Sequence, residues 1–73
     1  MSEADKLFED LGYGKEEKKH KTLGKIYKYE NKEINRIIEF ILKFKEVEIC
    51  NAGIDMPELE AINKKCKELW GLE

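Results

Sequence analysis

The chain has 73 residues, room for one domain spanning 1–73, and a domain this short buries only about 60% of its unfolded surface, which leaves a thin stability margin. Charged residues break every apolar run well short of the ~20 residues that a membrane span needs. The 14 basic and 16 acidic residues leave a formal net charge of −2, which excludes a generally basic protein.

The first apolar stretch is broken by Glu9 and Asp10, so no signal peptide is expected. A cytoplasmic location follows as an expectation, with Cys50 and Cys66 as free thiols. Ser2 is placed to cap a first helix over residues 3–11, and Asp5 resembles the reciprocal partner of a capping box. Ala4, Leu7, Phe8 and Leu11 then fall on one helical face, and Gly12 is placed as its left-handed terminator. The polar run 15–21 has no apolar period and reads as a loop.

From Thr22 the period changes. Leu23, Lys25, Tyr27 and Tyr29 share one parity, and the most apolar part of the chain follows at 34–44. Helical and alternating templates both fit that part, but its β-branched and aromatic residues and its cross-strand arithmetic favour strands. A turn at Asn31-Lys32 sets Tyr29 opposite Ile34, Tyr27 opposite Arg36, Leu23 opposite Phe40 and Ile26 opposite Ile37. A turn at Lys43-Phe44 sets Phe40 opposite Val47 and Ile38 opposite Ile49. Apolar then meets apolar across both hairpins. Strands are expected at 22–30, 34–43 and 45–50.

After a connection at 51–54, Asp55, Pro57 and Glu58 form a helix-start signature with a capping box. Leu59, Ile62, Cys66 and Leu69 give the buried stripe of that helix, Lys64, Lys65 and Lys67 complement its dipole, and Gly71 ends it. Leu72-Glu73 reads as native or as a cloning scar.

The predicted fold class is thus α+β: a helix, a three-stranded antiparallel β-meander and a helix, with both helices on one sheet face. A three-helix bundle with a helix at 31–49 is the alternative. The predicted core is Leu7, Phe8, Leu11, Leu23, Tyr27, Tyr29, Ile34, Ile38, Phe40, Val47, Ile49, Leu59, Ile62, Cys66 and Leu69.

The two ends of the chain carry a resemblance. The opening Ala4-Asp5-Lys6-Leu7-Phe8-Glu9-Asp10-Leu11-Gly12-Tyr13 and the closing run from Met56-Pro57-Glu58-Leu59 through Ala61-Ile62-Asn63-Lys64-Lys65 to Glu68-Leu69 are similar to a family of small uncharacterised proteins of Gram-positive bacteria and their phages and prophages. Glu60 stands where that family usually has Gln, and Trp70 precedes Gly71 where the family has the reverse. The resemblance covers both ends and reaches the middle only by pattern. It implies strands in the middle and a bacterial or prophage origin, and it carries no activity.

No set of residues points to chemistry. His20 is the only histidine, which excludes a His-based zinc site, and it reads as a solvated loop residue. Cys50 and Cys66 lack the close spacing of a metal or redox pair and read as small buried hydrophobes. Glu46 and Glu48 alternate with Val47 and Ile49, as on the wet face of an edge strand. No catalytic residue, cofactor or metal is therefore expected, and the chain is read as no enzyme.

Residues 15–28 hold six lysines, Lys15, Lys18, Lys19, Lys21, Lys25 and Lys28, against Glu16 and Glu17, a net +4 in an otherwise acidic chain. With Tyr27 and Tyr29 nearby, this segment is a candidate nucleic-acid surface. Arg36 is the only arginine, which counts against that reading. Ile26, Ile37 and Ile41 fall on the sheet face opposite the helices and form a candidate homodimer interface. Trp70 is placed as a partial core residue or an exposed interface anchor. The function expected is a non-enzymatic protein-interaction module, an accessory factor of phage or prophage type with an unknown protein partner, and the alternative is a nucleic-acid-binding accessory protein. No membrane partner is expected.

Overall fold

The structure is a computed structural model and describes residues 2–50 and 53–71. The order of elements is α1 (Glu3–Asp10), β1 (Gly14–His20), β2 (Gly24–Asn31), β3 (Arg36–Ile41), a short 3-10 turn (Leu42–Phe44), β4 (Glu46–Cys50) and α2 (Met56–Trp70). The strands form one antiparallel sheet in the order β1-β2-β3-β4. The α+β class stands, with four strands among the described residues where three were predicted.

The added strand is β1, which the periodicity assigned to a loop. Its residues are almost all charged, so no alternation of apolar and polar marks it. It is held by backbone pairing to β2, in a register that sets Lys15 opposite Tyr29 and Glu16 opposite Lys28. Side chains add ion pairs across the same seam, Lys25 to Glu17 at 3.5 Å and Lys28 to Glu16 at 3.9 Å. His20 ends β1 and serves the turn: its Nδ1 accepts the Thr22 and Leu23 N–H groups, each at 3.1 Å. Gly24 follows with φ of 77°, the left-handed residue that closes a three-residue hairpin loop.

The β2–β3 register differs from expectation. Tyr29 pairs with Ile38, Tyr27 with Phe40 and Ile26 with Ile41. The physical reason is Asn31. Its Oδ1 accepts the Glu33 N–H at 3.1 Å, and its Nδ2 donates to the Leu11 carbonyl at 3.1 Å, which fixes an Asx turn to the end of α1. Asn35 then takes φ of 53°. The loop therefore runs over 32–35, and Ile34, placed in the core by the sequence, is exposed in it. The slip is an even number of residues, so every side chain keeps its face. The β3–β4 register is the expected one, with Ile38 opposite Ile49 and Phe40 opposite Val47.

One sheet face carries both helices. Phe8 of α1 stacks on Tyr29 with ring centroids 4.2 Å apart, and Tyr13 and Phe40 meet Phe8 edge-on. Trp70 of α2 lies 6.4 Å from Phe40, half-buried against the core. Ala4, Ala61 and Ile62 are buried between the helices and the sheet. Three predicted core residues are exposed: Ile34, Ile49 and Leu59. Leu59 loses its place because the buried stripe of α2 runs through Glu58, Ala61, Ile62 and Lys65, one residue away from the apolar stripe read in the sequence. Cys50, expected to be buried, ends the edge strand and is exposed. Leu72-Glu73 and part of the 51–54 connection lie outside the described residues.

The helix ends follow their signals. Ser2 Oγ accepts the Asp5 N–H at 3.0 Å, but the Asp5 carboxylate turns inward and leaves the box incomplete. At α2 the box is complete: Asp55 Oδ1 accepts the Glu58 N–H at 3.3 Å, and Glu58 Oε1 accepts the Asp55 N–H at 3.0 Å. Asp55→Ala is expected to cost roughly 0.5–2 kcal/mol. An unchanged midpoint in a thermal melt against the parent protein would rule Asp55 out as a stabilising cap.

Candidate functional site

Two polar clusters join the helices to the sheet. In the first, Asp5 accepts bonds from Tyr29 Oη at 2.5 Å, Lys65 Nζ at 3.0 Å and Lys15 Nζ at 2.9 Å. Lys65 is only 5% exposed, and its ammonium lies 5.2 Å from the Tyr27 ring centroid. Burial works to raise the Asp5 pKa, but the bonds from Tyr29, Lys15 and Lys65 outweigh it and hold the carboxyl far below the usual range. Tyr29 is pushed up, first by burial and then by Asp5. In the second cluster, Glu58 accepts from Tyr13 Oη and pairs with Arg36. Burial and the Glu58 carboxylate push Tyr13 up to about 12. Burial likewise opposes the charge on Glu58, and Tyr13, the Asp55 amide and Arg36 more than offset it, so its pKa is lowered.

The residues of these clusters are donors and acceptors that face one another, except that the buried Nε of Arg36 has no hydrogen-bond partner. From sequence, Glu58 reads only as a cap and Lys65 only as a dipole partner. Their shared signal was a charged residue at the 3-and-4 spacing of Ala61 and Ile62, the spacing of the buried face. Among the described residues, no group of three His, Cys, Asp or Glu side chains is placed to hold a metal ion.

The candidate basic patch is not one surface. Lys15, Lys19 and Lys25 project on the helix-bearing face, Lys18 and Lys28 on the other, and Lys21 sits in the turn. Four of the six meet carboxylates: Lys15 with Asp5, Lys18 with Glu39 at 3.3 Å, Lys25 with Glu17, and Lys28 with Glu16 and with Glu30 at 3.7 Å. Alternation along a strand separates what lay together in sequence. Tyr27 and Tyr29 belong to the helix-bearing side and offer no free platform there: Tyr29 is buried, and Tyr27 lies under Lys15 and Lys65.

The isoleucine patch is also altered. Ile26 and Ile41 are direct cross-strand partners, where Ile26 and Ile37 were expected. They are 5% and 4% exposed, so the expected open aliphatic row is covered within the chain itself. Lys18 stands opposite Ile26 and reaches over β2 to Glu39 on β3, and Lys43 reaches from the 3-10 turn to the Thr22 carbonyl at 3.2 Å. Aliphatic stems of long charged side chains shield apolar neighbours in this way. Ile37 alone of the three is partly exposed.

The exposed large apolar side chains are Ile34 in the 32–35 loop, Phe44 in the 3-10 turn, and Ile49, Met56 and Leu59 around the passage from β4 into α2. Ile49, on the helix-facing side of β4, is 38% exposed, Leu59 is 37% exposed and Met56 is 74% exposed. They flank the connection from β4 into α2. A shallow groove of about 490 Å³ on α2 itself is lined by Met56, Pro57, Leu59, Glu60 and Asn63 with Lys64 and Lys67. Among the described residues β4 is an edge strand, paired only to β3, so its outer row of backbone groups faces away from the sheet. No helix among the described residues is long and apolar enough to cross a membrane. Comparison with protein-family models, with curated proteins and with solved structures finds no match.

Proposed function

We propose that the protein is a non-enzymatic protein-interaction module, an accessory factor of bacterial or prophage origin, which takes its partner along the β4 edge. One observation carries this reading: the edge strand β4 bears the exposed Ile49, and the first turn of α2, next in the chain, bears the exposed Met56 and Leu59. Exposed apolar surface next to a free edge is the recognised setting for a partner segment that adds to a sheet. The opposite edge, β1, is charged along its length and is poorly suited to the same use. The resemblance of the chain's two ends to proteins of Gram-positive bacteria and their phages supports the origin.

The test is positional. A photo-crosslinking phenylalanine analogue is placed at position 49 or 59, and at position 19 on β1, and each protein is expressed in a Gram-positive host. Discrete adducts from 49 and 59 that are missing from 19 are the expected result. No adduct from 49 or 59, or the same adducts from 19, would overturn the reading. Binding to generic DNA and RNA that falls steeply with salt would favour the nucleic-acid alternative instead.

A further inference from the structure

The charge of β4 narrows the class of partner. Its two sides differ in chemistry. Val47 and Ile49 point to the helix-bearing face, and Glu46 and Glu48 to the other. Glu48 stands directly opposite Glu39 on β3, a like-charge pair. Glu39 is drawn toward Lys18 on the far side of β2, which leaves Glu48 no counter-charge. Among the described residues neither Glu46 nor Glu48 has an ion-pair partner. On the same sheet face Lys18 and Lys28 are engaged with Glu39, Glu16 and Glu30, and Lys43 reaches the Thr22 carbonyl.

We infer that the β4 edge binds an extended segment of a partner protein in which basic residues alternate with apolar ones. This rests on the reading of β4 as the interaction edge. An added strand sets its side chains opposite those of β4, face for face. Its basic residues would meet Glu46 and Glu48 on one face. Its apolar residues would meet Val47 and Ile49 on the other, beside Leu59 and Met56. A second copy of this chain fits less well. Antiparallel pairing of β4 with itself, about an axis normal to the sheet, sets a glutamate opposite a glutamate when it is centred on Glu46, Val47 or Glu48.

The probes are cyclic hairpin peptides that present one strand: Lys-Val-Lys-Ile-Lys, its acidic counterpart Glu-Val-Glu-Ile-Glu, and a block permutation with the three lysines adjacent. Binding is followed by amide shifts and hydrogen exchange across β4. The alternating basic peptide is expected to bind about tenfold more tightly than the acidic one, from two cross-strand charge pairs made favourable in place of unfavourable. It should slow exchange at alternate amides of β4 and leave β1 unchanged. The double variant Glu46→Lys with Glu48→Lys alters exposed side chains only, and should reverse the preference. Equal binding of the basic and acidic peptides, equal binding of the block permutation, or a homodimer seen by light scattering that Glu46→Lys with Glu48→Lys does not weaken would each overturn the inference. Crosslinks from position 49 together with no peptide preference would refute this partner class and leave the β4 edge as the interaction site. Absence of both would refute the two together.

Discussion

Phe8→Ala is expected to remove most of the protein's folding stability. Phe8 has no exposed surface and touches every other large aromatic of the inner core: stacked on Tyr29, and edge-on to Tyr13 and Phe40. Truncation of a buried phenylalanine costs about 3–5 kcal/mol, through lost transfer free energy and an unfilled cavity. A domain of this length has only roughly 4–11 kcal/mol in total. Urea unfolding followed by far-UV circular dichroism should show a midpoint shifted far toward zero denaturant, or no folded baseline. Phe8→Leu retains most of the volume and should cost about 1–2 kcal/mol. Equal, small losses for the two variants would mean that the helix-to-sheet packing does not hinge on Phe8.

Lys65→Met is expected to destabilise the fold by about 2–3 kcal/mol, less than the full cost of breaking a buried pair because Asp5 keeps Tyr29 and Lys15. The methionine fills similar space, so the loss reports the charge and not a cavity. The companion variant Asp5→Leu with Lys65→Met removes both partners and should recover part of the loss. Acid adds a second readout. The folded Asp5 pKa lies below its unfolded value. Its stabilising contribution is therefore fully present above the unfolded carboxylate range, near pH 4, and is lost as pH falls toward the folded value. Lys65→Met takes away one of the bonds that depress that pKa, so less of this contribution remains to be lost on acidification. Its stability, measured by denaturant titration at a series of pH values, should fall less steeply below about pH 4 than the parent's. An identical slope would show that Lys65 does not hold Asp5 in its charged form.

These clusters also bear on the proposed interaction edge. Asp5, Lys65 and Glu68 tie α1 to α2, with Glu68 Oε2 accepting the Ala4 N–H at 3.0 Å. Arg36 and Glu58 tie the first turn of α2 to the start of β3. That anchor fixes the first turn of α2, which carries Met56 and Leu59. The substitutions that probe the edge, Glu46→Lys and Glu48→Lys, lie outside both clusters, so a change in binding can be separated from a change in fold.

The terminal helices were legible in the sequence because their signals are local. Ser2, Gly12, Asp55, Pro57, Glu58 and Gly71 each act on backbone groups within a few residues, and each is found where the pattern placed it. The face of β2, β3 and β4 that packs the core was legible too, since alternation depends only on parity. The β3–β4 register followed from apolar pairing across a short turn. Strand β1 was not legible: it buries no apolar face of its own, and it exists because β2 offers a row of backbone partners and lysines for its carboxylates. The β2–β3 register depended on Asn31 bonding to Leu11, a contact across 20 positions of chain that no local pattern encodes. The same holds for Lys65 and Glu58. Charged residues on a helix read as solvated until the fold brings Asp5, Tyr13 and Arg36 to meet them. Which apolar side chains end exposed was decided by what packs above them: Ile26 and Ile41 are covered by their own sheet's side chains, while Ile49 stands on a strand that has no further neighbour among the described residues, and Leu59 and Met56 fall off the buried stripe of α2.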